Sequence, residues 1–329
     1  MTNLRVLIVH QAVSADSPLD ELDVLEEVRE VRLALKSLGH HVSVLPMTGK
    51  LEEMLRSLRR RRPDCVFNLV ESLLGFGGLG TVATALFDAA QIPYTGNGTA
   101  ALALTTDKVA TKRALRLAGV KTPGWVTTQD HDSFRAGPHV FKPIAEDASV
   151  GLDANCLQQV RSIAQCRREI AHRNQRLERA VFAERFVEGR EFNVSLYGAG
   201  SSPKTLPVAE LRFDGYRERN LPTLYGYRAK WDKDSFEYRN TTREFNAVPA
   251  DRELCRQVSQ IAKKTWLALG CRGYARVDFR VDATSEPYVL EVNANPCLAA
   301  DGSFYSAARH ARLDFPQLIS DILKTAVAD

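Results

Sequence analysis

The chain has 329 residues, 44% hydrophobic and 26% charged, with a formal net charge of +4. That length predicts two or three subdomains, and the composition supports a folded core and excludes wholesale disorder. The small charge argues against nucleic-acid binding, and no stretch is long and apolar enough to span a bilayer. Met1-Thr-Asn leads into the run Leu-Arg-Val-Leu-Ile-Val with no signal-peptide pattern, so the cytoplasm is the expected compartment.

Residues 4–9 read as a strand. Val24, Val28, Val31, Leu35 and Leu38 then recur at helical spacing, stopped by Gly39. His41–Leu45 reads as a second strand, Leu51–Arg61 as a helix and Cys65–Val70 as a third strand. This alternation predicts a parallel sheet with flanking helices. The basic run Arg59–Arg62 ends that helix before Pro63, where cations suit the helix dipole, and reads as a solvated helix end. A glycine-rich loop follows at Gly75, Gly77, Gly78 and Gly80, then a helix, then the short strand and loop beginning at Ile92.

Thr106-Asp-Lys108 starts a helix running to about Ala118. A strand at 139–143 carries Lys142, the polar loop 146–151 follows, and a charged helix is expected over roughly 157–173. The run from Val181 holds two strands about Glu188-Gly189, then more strands, an irregular loop near 214–247, a helix at 252–268, a strand pair and a C-terminal helix. The six cysteines (65, 156, 166, 255, 271, 297) lack metal-finger spacing and read as reduced and mostly buried.

The strand pair is Arg-Val-Asp-Phe-Arg-Val at 276–281 and Val-Leu-Glu-Val-Asn-Ala-Asn-Pro at 289–296. Alternation puts Arg276, Asp278 and Arg280 on one face, and Glu291 and Asn293 share a face of the second strand. Pairing about the intervening turn sets Asp278 opposite Glu291 and Arg276 opposite Asn293. Like charges so placed destabilise a hairpin. Two carboxylates and an amide oxygen are explained if a hard cation lies between them, and oxygen-only ligands suit magnesium. The plainer reading is a solvated face with incidental charge. Lys108 at a helix start and Lys142 at a strand end can each hold phosphate as a point charge, and the Ala-Ser-Val-Gly backbone at 148–151 can fold over phosphates. Together these features describe a nucleoside triphosphate site.

These residues resemble the ATP-grasp superfamily, most closely its D-alanine–D-alanine ligase type. The resemblance rests on Gly270-Cys-Arg-Gly-Tyr-Ala-Arg-Val-Asp and Tyr288-Val-Leu-Glu-Val-Asn-Ala-Asn-Pro, with Asp107-Lys108, Phe141-Lys-Pro143, Ala148-Ser-Val-Gly151, Ala183 to Glu191 and Tyr227-Arg-Ala-Lys230 in the same order. It spans about residues 64–325 and implies an α/β (mixed α+β) ATP-grasp fold: a Rossmann-like parallel-sheet domain at 1–98, a central lid subdomain at 99–183 and a C-terminal catalytic subdomain at 184–329. It implies ATP and two Mg2+ ions, with Mn2+ as the alternative ion. Asp278, Glu291 and Asn293 would hold the metal. Lys108 and Lys142 would contact phosphate and flank the adenine pocket, and Ser149 would give backbone and hydroxyl donors to phosphate. Glu184, Arg185 and Val187 would form the adenine hinge, Glu191 would take the ribose hydroxyls, Lys230 would meet the departing γ-phosphate, and Arg276 would stabilise the oxyanion. The implied partners are small amino-acid or peptide-like substrates, with no nucleic acid or membrane, and a homodimer through the N-terminal section.

In that family a glutamate after the first strand, a serine in the small loop and a tyrosine in the lid form a hydrogen-bonded set beside the first substrate. Here the serine position is Ala148, the tyrosine position is Trp231, and the first strand leads into His10-Gln-Ala-Val-Ser-Ala-Asp. The glycine after Asn-x-x-Pro is Cys297, and a serine that helps hold the second substrate's carboxylate is Gly302, with Ser303 beside it. The expectation is an ATP-dependent carboxylate–amine ligase, ADP-forming, working through an acyl phosphate, with an altered amino-acid pocket and D-alanine disfavoured as first substrate. A genuine D-alanine–D-alanine ligase and a non-catalytic ATP-binding regulatory protein remain open.

Overall fold

The computed structural model describes residues 3–152, 155–245, 251–300 and 302–327. Its N-terminal part runs β1 (Arg5–Gln11), α1 (Leu19–Ser37), β2 (His41–Met47), α2 (Leu51–Arg61), β3 (Cys65–Leu69) and α3 (Thr81–Ala90). The sheet order is β2-β1-β3, all parallel. Val6 to Val9 are buried without alternation because helices cover both faces of β1. Val6 and Ile8 meet the α1 side, while Leu7 and Val9 meet Met54, Leu58 and Phe87 of α2 and α3. The glycine-rich loop tightens into a single 3-10 turn at Gly77–Leu79.

Two helices, α4 (Thr99–Thr106) and α5 (Lys108–Leu117), lead onward, and Asp107 caps α5 by accepting the Ala110 N–H at 2.8 Å. The middle section contains β4 (Trp125–Val126), β5 (His131–Asp132), β6 (Gly137–Pro143), β7 (Leu157–Val160), α6 (Ile163–Leu177) and β8 (Val181–Arg185), with sheet order β5-β4-β8-β6-β7. The helix expected over 157–173 begins at Ile163. Leu157–Val160 instead pairs antiparallel with β6, and Ser162 caps the helix through the Gln165 N–H.

The last section contains β9 (Arg190–Gly198), β10 (Lys204–Thr205), β11 (Ala209–Phe213), α7 (Tyr227–Trp231), α8 (Phe236–Arg239), β12 (Thr241–Glu244), α9 (Arg252–Ala268), β13 (Gly273–Val281), β14 (Pro287–Asn293), α10 (Ser303–His310) and α11 (Phe315–Val327). Its sheet runs β12-β11-β9-β13-β14, with β10 on β9. The segment 214–247, expected to be irregular, holds α7, α8 and β12; residues 246 and 247 lie outside the described residues. α9 lays Val258, Ala262 and Trp266 on the back of this sheet, and α11 returns to pack against α1.

Backbone contact joins the first and last sections. A Cβ on Gly273, whose φ is +72°, would lie 2.6 Å from the Gly96 Cα, so only glycine fits. Beside them the buried Asn97 amide donates to the Tyr274 and Ala294 carbonyls at 2.7 and 2.8 Å, and its oxygen accepts the Arg272 N–H at 2.8 Å. Among the described residues no helix is long and apolar enough to cross a membrane.

Candidate active site

The strand pair has the register its alternation predicts: Asp278 faces Glu291, and Arg276 faces Asn293. A bulge follows, with Phe279 opposite Val289, so Leu290 is the extra residue. Asp278 is doubly engaged. Arg276 donates to it through Nε at 2.8 Å and Nη2 at 2.9 Å, and Asn193 of β9 donates at 2.7 Å. The third Arg276 nitrogen reaches Ser303 Oγ at 2.9 Å. Burial opposes the charge on Arg276, but Asp278 and Glu291 outweigh it and keep the guanidinium protonated.

Glu291 meets converging cations. Burial alone would raise its pKa, yet Lys108, Lys142, Lys230 and Arg276 hold it down at about 2. The Lys108 Nζ lies 3.8 Å from Glu291 and 3.6 Å from Asp147. Burial and the neighbouring Arg276 lower the Lys230 pKa. A cavity opens beside this pair, lined among others by Lys142, Arg185, Val187, Glu191, Lys230 and Glu291.

Glu184 points into buried charge. Its carboxylate takes Lys142 at 2.9 Å on one oxygen and Lys112 on the other. Burial favours its neutral form, but these two lysines hold it ionised. Lys112 is fully buried, donates to Thr122 Oγ1 at 2.8 Å, and is pushed down to about 8 by burial despite Glu184. Glu191 lies 3.4 Å from Arg280, and burial raises its pKa against that cation. Arg280 also donates to the Gly189 and Thr223 carbonyls, tying the β8–β9 connection to the segment before α7.

In the small loop, Ala148 and Ser149 both have left-handed backbones, with φ of 55° and 62°. The Ser149 hydroxyl, expected at phosphate, instead donates to the Tyr225 carbonyl at 2.9 Å. Trp231 donates its indole N–H to the Ala148 carbonyl at 3.0 Å. The Cys297 thiol donates to Asp23 at 3.3 Å, and burial among acidic groups pushes its pKa well up. Gly302 precedes α10 where an added Cβ would meet the Ala299 carbonyl at 2.9 Å.

The structure thus gathers Arg276, Asp278, Glu291, Lys108, Lys142 and Lys230 at one end of the cavity. Sequence reasoning missed Asn193 and Lys112, and gave Arg280 a face but no role. Asn193 shares the inward face of β9 with Glu191, and strand alternation alone gave that signal. Asp278, Glu291 and Asn293 offer only oxygen donors, and the Asn293 side-chain oxygen accepts the Asn295 N–H at 2.9 Å. Among the described residues no three His, Cys, Asp or Glu side chains form a cage. This donor set fits Mg2+, which is typically held by one or two carboxylates together with substrate phosphates.

The family described as D-ala D-ala ligase C-terminus matches residues 121–324. The chain belongs to the D-alanine–D-alanine ligase family. Its members are ADP-forming carbon–nitrogen ligases of the ATP-grasp class, and this chain is an enzyme of that class. The D-alanine--D-alanine ligase of Aquifex aeolicus is 30% identical over 327 residues, covering 97% of this chain and 100% of the relative. That of Albidiferax ferrireducens is 34% identical over 262 residues, covering 77% of this chain and 70% of the relative. The family fold is also seen in the D-alanine--D-alanine ligase of Bacillus anthracis complexed with ATP, with a TM-score of 0.73 and 20% identity over 99% of this chain and 98% of that one.

Proposed function

We propose that this ligase joins two D-amino acids at the expense of ATP, with D-alanine as both acid and amine. Full-length similarity to the Aquifex aeolicus D-alanine--D-alanine ligase carries this reading and outweighs the expectation, drawn from Ala148 and Trp231, that D-alanine is disfavoured. ATP supplies the phosphoryl group that turns an unreactive carboxylate into an acyl phosphate, and Asp278, Glu291 and Asn293 would hold a divalent cation that would supply neutralisation of phosphate charge. Lys108, Lys142 and Lys230 add positive charge around the same oxygens. Val187 and Arg185 flank the base, and Glu191 receives the ribose. When the amine attacks the acyl carbon, Arg276 bears the charge developing on the carbonyl oxygen, aimed by Ser303.

A carboxylate cluster supports an amino-acid substrate. Burial raises the Glu71 pKa well above its ordinary value, and Glu27, Asp147, Asp23 and Asp20 add to the rise. A substrate ammonium entering there relieves that repulsion.

A second reading keeps the reaction but changes the acid, favoured by the Trp231 indole standing where the family has tyrosine. The deciding experiment supplies ATP, Mg2+ and amino acids singly and in pairs, follows phosphate release and weighs the product. D-Alanyl-D-alanine at ordinary substrate levels supports the first reading. Product only from another pair supports the second, and ATP binding with no amide from any pair refutes both.

A further inference from the structure

The lid helix α7 has five residues, too few to hold its own position, so its tertiary bonds decide where it sits. Ser149 Oγ donates to the Tyr225 carbonyl at 2.9 Å, the Tyr227 N–H donates to the Leu152 carbonyl at 3.2 Å, and Trp231 Nε1 donates to the Ala148 carbonyl at 3.0 Å. Gly226 makes the close approach feasible, since a Cβ there would lie 2.8 Å from the Leu152 oxygen. These bonds join the lid to the small loop. The small loop also meets the N-terminal section where Glu146 accepts the Gly77 N–H at 3.0 Å, and from α7 itself one bond reaches α1. The Tyr227 hydroxyl donates to Asp20 Oδ1 at 3.0 Å, across 207 residues, in the first turn of α1.

Tyr227 precedes Trp231 by four residues, so both side chains lie on one face of the turn. The indole reaches a backbone carbonyl and therefore needs no side-chain partner at position 148. The phenol one turn earlier reaches the N-terminal domain. Burial and Asp20 push the Tyr227 hydroxyl up to about 12, so it remains a donor at neutral pH.

We propose that Tyr227, anchored on Asp20, is the latch that holds the lid and the small loop shut together against the N-terminal domain while the acyl phosphate waits for its amine. Resting on the ligase reading, this makes Tyr227 a positioning residue that touches neither phosphate nor metal. A loosened latch admits water. Its oxygen attacks the acyl carbon, the acyl–phosphate bond breaks, and the original acid and inorganic phosphate leave with no amide formed.

The test measures phosphate released per amide formed, at saturating ATP and Mg2+. The wild-type ratio is expected to be close to one. Tyr227→Phe preserves ring and packing and is expected to raise the ratio at least about threefold, with the KM for ATP changed by less than about twofold. Asp20→Ala is expected to do the same, Asp20→Asn, which keeps an acceptor, to stay near wild type, and the Tyr227→Phe/Asp20→Ala double variant to match the single ones. A purely structural role would lower turnover without moving the ratio. Wild-type amide formation with unchanged ratios in both single variants overturns the latch alone, whereas absence of wild-type amide from every acid–amine pair overturns the ligase reading and the latch with it.

Discussion

Arg276 grips Asp278 through two parallel bonds, Nε to Oδ1 at 2.8 Å and Nη2 to Oδ2 at 2.9 Å, from two residues away on the same strand. The third nitrogen extends toward Ser303. One planar group is thus fixed by the carboxylate proposed to hold the metal, and its remaining nitrogen is held by Ser303. Lysine cannot reproduce this fork. Arg276→Lys is expected to lower kcat about 10²-fold while the KM for ATP changes little. Steady-state kinetics with varied ATP and saturating amino acid check this, and an unchanged kcat removes Arg276 from the chemistry.

Glu291, held at about 2 mainly by Lys108 once burial is overcome, stays charged throughout the working pH range. Loss of metal affinity between pH 8 and pH 5 therefore cannot be traced to it. Glu291→Gln keeps the shape and removes the charge. The Mg2+ concentration for half-maximal turnover should then rise about tenfold or more, measured by metal titration at fixed ATP. Full activity at wild-type Mg2+ would favour a merely solvated strand face.

Glu27 gives a stability prediction. Burial, with Asp23 and Glu30 nearby, raises its pKa to about 8, although it accepts the Leu298 N–H at 2.7 Å. In the unfolded chain a glutamate titrates near 4.3. Between those values the folded state binds more protons, so this contribution is complete below about pH 4 and is lost as pH rises through 8. Taken alone, that is about 1.4 kcal/mol per pH unit across the interval. Glu27→Gln keeps an acceptor for Leu298 and should unfold at a higher temperature than wild type at pH 8.5, with little difference at pH 4. Parallel thermal melts decide it.

The buried Lys112–Glu184 pair predicts a large loss when one partner is removed. Lys112 has no exposed surface and Glu184 is 3% exposed. Lys112→Ala leaves a carboxylate facing Lys142 alone and is expected to cost about 3–5 kcal/mol in denaturant unfolding. Lys112→Met with Glu184→Gln should recover part of that loss. A loss below about 1 kcal/mol would place Glu184's support elsewhere.

Much of the architecture was legible from short-range pattern. Period-two alternation around Asp282–Glu286 was enough to pair Asp278 with Glu291, and the apolar runs at 4–9 and 65–70 announced a parallel sheet. Leu157–Val160 was read as helix because the helical pattern of α6 follows with only a two-residue break. The lid helices α7 and α8 are too short to show periodicity. The contacts of Tyr227 with Asp20, Lys112 with Glu184 and Asn193 with Asp278 join residues far apart in sequence, and nothing local to any of them foretells its partner. The Ser149 hydroxyl, expected at phosphate, is committed to the lid carbonyl of Tyr225.

The Gly96–Gly273 contact reaches further than its size. With backbone touching backbone and Asn97 stitching Tyr274, Ala294 and Arg272 together, the N-terminal sheet and the β13–β14 hairpin share one rigid joint. Any side chain inserted at Gly273 would prise that joint apart. Arg276, Asp278 and Glu291, all on that hairpin, are therefore held in fixed register with the acidic first turn of α1, so that the two walls of the site are set by one small contact.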